Sequence, residues 1–175
     1  MKENYFKWGL FFSQIIAHLS IIPMIVYGSW YHWLIGFFVY FITGCFGMTM
    51  TFHRLLSHKS WNAPKWFHYF GSLAGFYGLT GSTIGWVAIH REHHVHTDKD
   101  KDPHSPEHHG FFKVQWLSMF ETPHPKYAIH LIRDQFHVFM HRWYFLIHGV
   151  IAGVWLWIDP MLLVAAYLFP AMILW

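Results

Sequence analysis

Two short histidine motifs, HRLLSH from His53 to His58 and HREHH from His90 to His94, have the residue types and spacings that suit metal chemistry. In the second motif His90, His93 and His94 stand at positions i, i+3 and i+4, which places them on one face of an α-helix. Neutral imidazole binds Fe, Zn, Cu and Ni. The two histidines of the first motif are about 140° apart around an α-helix, so we expect them to flank a site or to serve different metals. Both motifs border apolar segments, and together they predict metal binding.

Twelve of the 17 histidines lie outside these motifs and are interpreted as non-ligands. Histidines in or beside apolar runs are expected to be hydrogen-bonded or interfacial, and those in the polar, proline-containing loops are expected to be solvated. These residues are His18, His32, His148, His68, His130, His137, His141, His96, His104, His108, His109 and His124.

The distribution of charge indicates an integral membrane protein. Apolar residues make up 54% of the chain and charged residues 12%, against about a quarter charged in soluble proteins. No Asp, Glu, Lys or Arg occurs between Lys7 and Arg54, and only Asp159 occurs after Arg142. A charged side chain at a bilayer centre costs roughly 2.5–3.5 kcal/mol, so such runs predict membrane spans.

The apolar segments predict an all-α membrane domain over residues 1–175 with four transmembrane helices, and the polar, histidine-rich region at about 53–141 is called the cap. The helices are expected at about 8–27, 30–52, 142–158 and 161–175. All Lys and Arg fall at residues 2 and 7 or within 54–142, which by the positive-inside rule puts the cap on the cytoplasmic side. The uncharged stretch Trp66–Ile89 contains five glycines and is expected to be interfacial or re-entrant. The single cysteine, Cys45, excludes an intrachain disulfide.

The two motifs carry a family resemblance. HRLLSH, followed by HREHHVHTDKDKDPHSP, resembles the first two histidine boxes of membrane fatty acid desaturases, HxxxxH and HxxHH, in the form found in the stearoyl-CoA (delta-9) desaturase-like family. Trp86, four residues before His90, matches a tryptophan of that family and is a candidate substrate-binding residue. The resemblance implies that all five box histidines are catalytic iron ligands: His53, His58, His90, His93 and His94.

The same resemblance implies a fold, a bundle of four transmembrane helices with a histidine-rich cytosolic helical cap, and a reaction with its partners. Two iron ions would form a di-iron centre, O2 would be the co-substrate, and a cis double bond would enter a fatty acyl chain carried on CoA or lipid. Electrons would come from a separate donor of the ferredoxin or cytochrome b5 type. The bilayer is the expected environment, and no nucleic-acid partner is expected. In animal family members that act on acyl-CoA an Arg-Asp pair precedes the second box near the CoA group, whereas this chain has Ala88-Ile89.

The resemblance also implies segments that these 175 residues do not contain. The family has an Asn-Ser-x-x-His sequence and a third HxxHH box after its fourth helix, and this sequence stops at Trp175 inside that helix. We therefore expect a C-terminally truncated desaturase domain that is inactive alone. Alternatives are a di-iron hydroxylase of acyl chains or alkanes, an inactive fragment, and a metal transporter or bis-histidine haem protein. The last two would place facing histidines inside the spans.

Overall fold

The computed structural model describes the backbone of residues 2–175 and the side chains from Asn4 onwards, so the Lys2 side chain used in the topology argument lies outside the described residues. The described residues form helices and connecting turns. In chain order these are α1 (Lys2–Leu19), α2 (Ile21–Tyr27), α3 (Trp30–Phe41), a first π-helix (Ile42–Ser57), α4 (Lys65–Tyr77), α5 (Thr83–His96), α6 (Pro106–His109), α7 (Phe111–Leu117), 3-10 turns at Ser118–Phe120 and Pro125–Ala128, α8 (Ile129–Ile132), α9 (Gln135–Arg142), α10 (Tyr144–Ile158), α11 (Pro160–Leu163), a second π-helix (Val164–Leu168) and α12 (Phe169–Leu174).

Two helical stretches, Asn4–Tyr27 and Trp30–Ser57, are long and apolar enough to cross a membrane. Large apolar side chains on their outer faces are more than half exposed, among them Phe12, Phe38 and Phe41. A contiguous apolar surface of this kind needs an apolar environment. Two shorter apolar helical stretches, Tyr144–Ile158 and Pro160–Leu174, follow the polar region.

The predicted interfacial stretch Trp66–Ile89 is divided between two helices, because α4 ends at Tyr77 and α5 begins at Thr83. Between them Leu79 and Gly81 adopt positive φ angles of 60° and 98°, a conformation that ends a right-handed helix. Ser82 then caps α5 by accepting a hydrogen bond from the Gly85 N–H. The break separates α4 from α5, so the second histidine motif lies on a helix of its own.

The first π-helix and α4 pack at backbone contact. A Cβ atom on Gly47 would overlap the backbone of Gly75, and a Cβ on Gly71 would overlap Thr51. Small residues four apart, as in the GxxxG pattern of Gly71 and Gly75, allow such close helix contacts. The π-helix also packs against α5 and α8 through a buried apolar cluster of Phe52, Leu55, Leu56, Val87 and Leu131. The helices that carry the two histidine motifs are therefore held by one core.

Candidate metal centre

The first motif lies on the π-helix, whose geometry brings His53 and His58 together. In a π-helix the hydrogen bonds run from residue i to i+5, and the His58 N–H donates to the His53 carbonyl at 3.0 Å. Residues five apart are therefore stacked on one face, and the two Nε2 atoms are 3.0 Å apart. The expectation that these histidines flank a site or serve different metals assumed 3.6 residues per turn. The structure differs because the turn is wider.

Two hydroxyl side chains in the second half of the π-helix follow the same spacing of five residues. Thr51 Oγ1 donates to the Phe46 carbonyl at 2.9 Å, and Ser57 Oγ donates to the Phe52 carbonyl at 2.7 Å. In each case the acceptor is five residues back, so these side chains bond to the carbonyls of the wider turn. The local sequence thus supports the helix geometry that the first motif needs.

The second motif lies on α5 and contributes His90 and His94 to the same place. The Nε2 atom of His90 is 3.1 Å from that of His58 and 3.1 Å from that of His94. One ring nitrogen from each of His53, His58, His90 and His94 lies within 4.8 Å of the others. These four residues form the four-histidine group.

The donor set of the four-histidine group fits a transition-metal ion. Burial, followed by the neighbouring imidazoles of His53, His94 and His58, lowers the pKa of His90 to about 3. Burial, followed by nearby imidazoles, also lowers the pKa of His58. Both rings are therefore neutral near pH 7, which is the form that binds metal. Each close nitrogen pair can share only one hydrogen, whereas a cation among them can accept a lone pair from every ring.

His93 lies beside the four-histidine group but is not among its members. Its Nδ1 is 2.8 Å from Oδ1 of Asp102, a fully buried carboxylate that also accepts hydrogen bonds from the backbone N–H groups of Asp98 and His104, each at 2.8 Å. Burial raises the pKa of Asp102, but the hydrogen bonds from His93, His104 and Asp98 outweigh it, and the pKa lies below its ordinary value. An ionised Asp102 makes His93 Nδ1 the protonated nitrogen, which leaves Nε2 free as a ligand atom.

A cavity of about 530 Å³ adjoins His90. Its wall is largely apolar and includes Leu10, Ile84, Trp86, Ile89, Val114 and Met119. Trp86, the candidate substrate-binding residue, also stacks on His90 with ring centres 4.8 Å apart and an interplanar angle of 16°. The cavity is large enough and apolar enough for a lipid tail or another extended apolar ligand.

His104 is a cavity residue that sequence reasoning assigned to a solvated loop. Its side chain is half-buried and lines the cavity, and its ring centre is 6.0 Å from that of His93. The loop is ordered around Asp102, whose three hydrogen bonds fold the segment back onto α5. The DPH sequence, Asp102 to His104, was the available signal, because an acidic residue next to a histidine motif is a common partner of metal-bound imidazole.

The remaining histidines lie outside the four-histidine group. His108 and His109, which were expected in a solvated loop, lie on the short helix α6, and their rings interact with the backbone carbonyls of Asp98 and Asp102. A separate pocket between α4, α8 and α9 is lined by His68, His130 and His137. Ring nitrogens of His32 and His148 lie within hydrogen-bonding distance of Ser29 N and Tyr167 Oη.

The described residues thus form helices, two stretches of which are long and apolar enough to cross a membrane, and they bring together four histidines that could hold a metal ion beside an apolar cavity. No protein-family model matches the chain. It is 36% identical over 124 residues to an sn-1 stearoyl-lipid 9-desaturase of Anabaena variabilis, covering 68% of this chain and 45% of that protein. Over 94 residues it is 43% identical to a chloroplastic palmitoyl-monogalactosyldiacylglycerol delta-7 desaturase of Arabidopsis thaliana, covering 54% and 25%. Over 90 residues it is 43% identical to an acyl-CoA C20 Delta5-desaturase of Anemone leveillei, covering 51% and 29%.

These similarities make the chain a relative of the fatty acid desaturases, and they confirm the family predicted from the two histidine motifs. The chain spans less than half the length of these curated relatives.

Proposed function

We propose that this protein is a membrane di-iron fatty acid desaturase that introduces a cis double bond, of the delta-9 type, into a fatty acyl chain. The observation that carries the proposal is the convergence of four imidazole nitrogens within 4.8 Å beside an apolar cavity of about 530 Å³. The names of the relatives support a desaturase over a hydroxylase. They differ in double-bond position and in acyl carrier, so the delta-9 position and a lipid or CoA carrier belong to the proposal.

The box histidines would hold the iron. His53, His58, His90 and His94 would bind through the nitrogens that converge, and His93 would bind through Nε2 because Asp102 holds its Nδ1. Two bound iron ions would supply the O2 activation that cleavage of an unactivated C–H bond requires. Two hydrogens from the acyl chain, two electrons from a ferredoxin- or cytochrome b5-type donor and two protons would together reduce O2 to two water molecules.

The chain's other residues would bind and orient the substrate. The apolar cavity wall would hold an extended acyl chain and exclude water, and Trp86 would contact both that chain and His90. Lys7 also lines the cavity, and its ammonium group donates to the Phe120 carbonyl at 2.9 Å and contacts Thr122. These contacts tie α1 to the segment of residues 118–125, which also lines the cavity.

Expression of the complete open reading frame in a host that lacks its own delta-9 desaturase tests the activity. Wild type should produce monounsaturated fatty acids, with the double bond located by mass spectrometry of dimethyl disulfide adducts. His93→Ala should abolish the product and lower bound iron, whereas His108→Ala, a change on α6 outside the four-histidine group, should do neither. A hydroxylated product would favour the hydroxylase, and equal losses in the two variants would contradict the assignment of ligands.

We further propose a four-helix transmembrane bundle with the histidine cap on the cytoplasmic side. The apolar helices and the exposure of their outer faces support this arrangement. In a Cys45→Ser background, a membrane-impermeant maleimide should label Ser60→Cys from the cytoplasmic side and Ser29→Cys from the opposite side. Labelling of both cysteines from one side would contradict the topology.

A further inference from the structure

Arg91 lies in the chain between the metal-site histidines His90 and His93, yet its guanidinium bonds to the helix that carries the first motif. Nε donates to the Ser57 carbonyl at 2.8 Å, and Nη2 donates to the Leu56 carbonyl at 2.9 Å. A third hydrogen bond runs from Nη1 to the Tyr127 carbonyl at 3.0 Å. One side chain therefore connects three segments that are distant in sequence.

The two π-helix acceptors lie at a helix end that needs partners. The last carbonyls of a helix have no intrahelical donor, and they carry the negative end of the helix dipole, which favours a cation. Leu56 and Ser57 are in the final turn of the first π-helix, and the next residue is His58. The guanidinium thus fixes the peptide groups that lead directly to a ring of the four-histidine group.

Arg91 fixes orientation where the apolar core fixes distance. Contacts such as those of Phe52 and Leu55 with Val87 bring α5 and the π-helix together, but apolar contacts are non-directional. A planar guanidinium with several hydrogen bonds sets direction as well. The third acceptor, Tyr127, is next to Ala128, which lines the cavity, so the same side chain also holds a part of the cavity wall.

We propose that Arg91 is a positioning residue that brings the His53–His58 pair and the His90–His94 pair into one metal site. The inference rests on the proposed function, because it concerns the geometry of that site. Arg54 provides a matched comparison within the chain. It follows His53 as Arg91 follows His90, but its side chain is exposed.

The test compares Arg91→Ala and Arg91→Lys with Arg54→Ala in the purified full chain. Fe²⁺ affinity is measured anaerobically by chelator competition, and the geometry of the site is measured from the ligand-field absorption of bound Co²⁺. We expect each Arg91 variant to lose about 10- to 100-fold in Fe²⁺ affinity and to change the Co²⁺ spectrum. Lysine should fail because one ammonium group cannot reproduce the fork of donors that spans three carbonyls. Arg54→Ala should match wild type, and millimolar guanidinium should restore binding to Arg91→Ala.

The outcomes separate the inference from the function on which it rests. Wild-type affinity and an unchanged Co²⁺ spectrum in Arg91→Lys overturn the positioning role, even if the thermal stability of the metal-free protein falls. A wild-type protein that binds neither Fe²⁺ nor Co²⁺ overturns the metal site itself, and the role of Arg91 with it. If Arg91→Ala aggregates, Arg91→Lys alone decides the question.

Discussion

The two histidine motifs reach one place through two kinds of helix. HREHH lies on a regular α-helix, where His90 and His94 are four residues apart, and HRLLSH lies on a π-helix, where His53 and His58 are five apart. In each motif the spacing equals the number of residues spanned by the backbone hydrogen bond. The comparison teaches that the spacing of a metal-binding pair is informative only together with the helix type that carries it.

Removal of His90 should have the largest effect, because its Nε2 lies 3.1 Å from those of both His58 and His94 and so joins the two motifs. We expect His90→Ala to lower Fe²⁺ affinity by more than about 100-fold, beyond what the loss of a supporting residue costs. Metal analysis per polypeptide and chelator competition measure the change. His108→Ala is the control, and similar metal content in both variants would contradict the arrangement.

Moving the first-motif histidine by one residue tests the helix type itself. In an α-helix the partner of His53 would stand at position 57, so Ser57→His combined with His58→Ala would preserve the metal site. In the π-helix it should not, and the double variant should lose as much Fe²⁺ affinity as His58→Ala alone. Recovery of metal binding in the double variant would show that the motif works from an α-helix.

Asp102→Asn should weaken the second motif without changing its shape. A neutral amide can donate to His93 Nδ1, which moves the ring proton to Nε2 and blocks that atom as a ligand. We expect a loss of about 10- to 100-fold in Fe²⁺ affinity. Asp100→Asn is the matched control because the Asp100 side chain is 97% exposed. Equal Fe²⁺ affinities of the two variants would show that Asp102 does not support metal binding through His93.

The close contact between Gly75 of α4 and Phe52 of the first π-helix should make protein stability sensitive to a single added methyl group. A Cβ at Gly75 would lie 2.7 Å from Phe52 Cε1, so Gly75→Ala should lower the free energy of unfolding by about 1–3 kcal/mol. Thermal unfolding in detergent measures the change. Gly149→Ala, where nothing lies within 4 Å of the new atom, should be neutral or slightly stabilising. An unchanged free energy of unfolding in Gly75→Ala would mean that α4 and the first π-helix can move apart at little cost.

Acidification should destabilise the region around His137 by a smaller amount. Burial, opposed by Asp134 and reinforced by His130, His68 and Lys65, lowers the pKa of His137 to about 4 from 6.5. Between these values the unfolded chain takes up a proton that the folded protein does not. The free energy of unfolding should therefore fall as pH decreases from about 6.5 to about 4. Subtracting the stability curve of His137→Gln isolates this contribution, and parallel curves would contradict it.

Sequence reasoning found what depends on local pattern and missed what depends on unusual geometry or on distant contacts. The positions of His90, His93 and His94 on one helix followed from a period of 3.6 residues. The meeting of His53 and His58 did not, because a π-helix has no simple sequence signature. Several further features depend on contacts between distant segments, which the spacing of residues along the sequence does not predict. These are the roles of Asp102, His104 and Arg91, and the break at Gly78–Ser82.

The wide turn of the first π-helix has a thermodynamic consequence. An α-helical and a π-helical register of the same segment differ by one residue per turn, so they place His58 differently relative to His53. A ligand that binds both rings selects the π register, and the free energy difference between the two registers then enters its binding constant. Substitutions far along residues 42–57, well away from either imidazole, can therefore tune the affinity for metal by changing that difference alone.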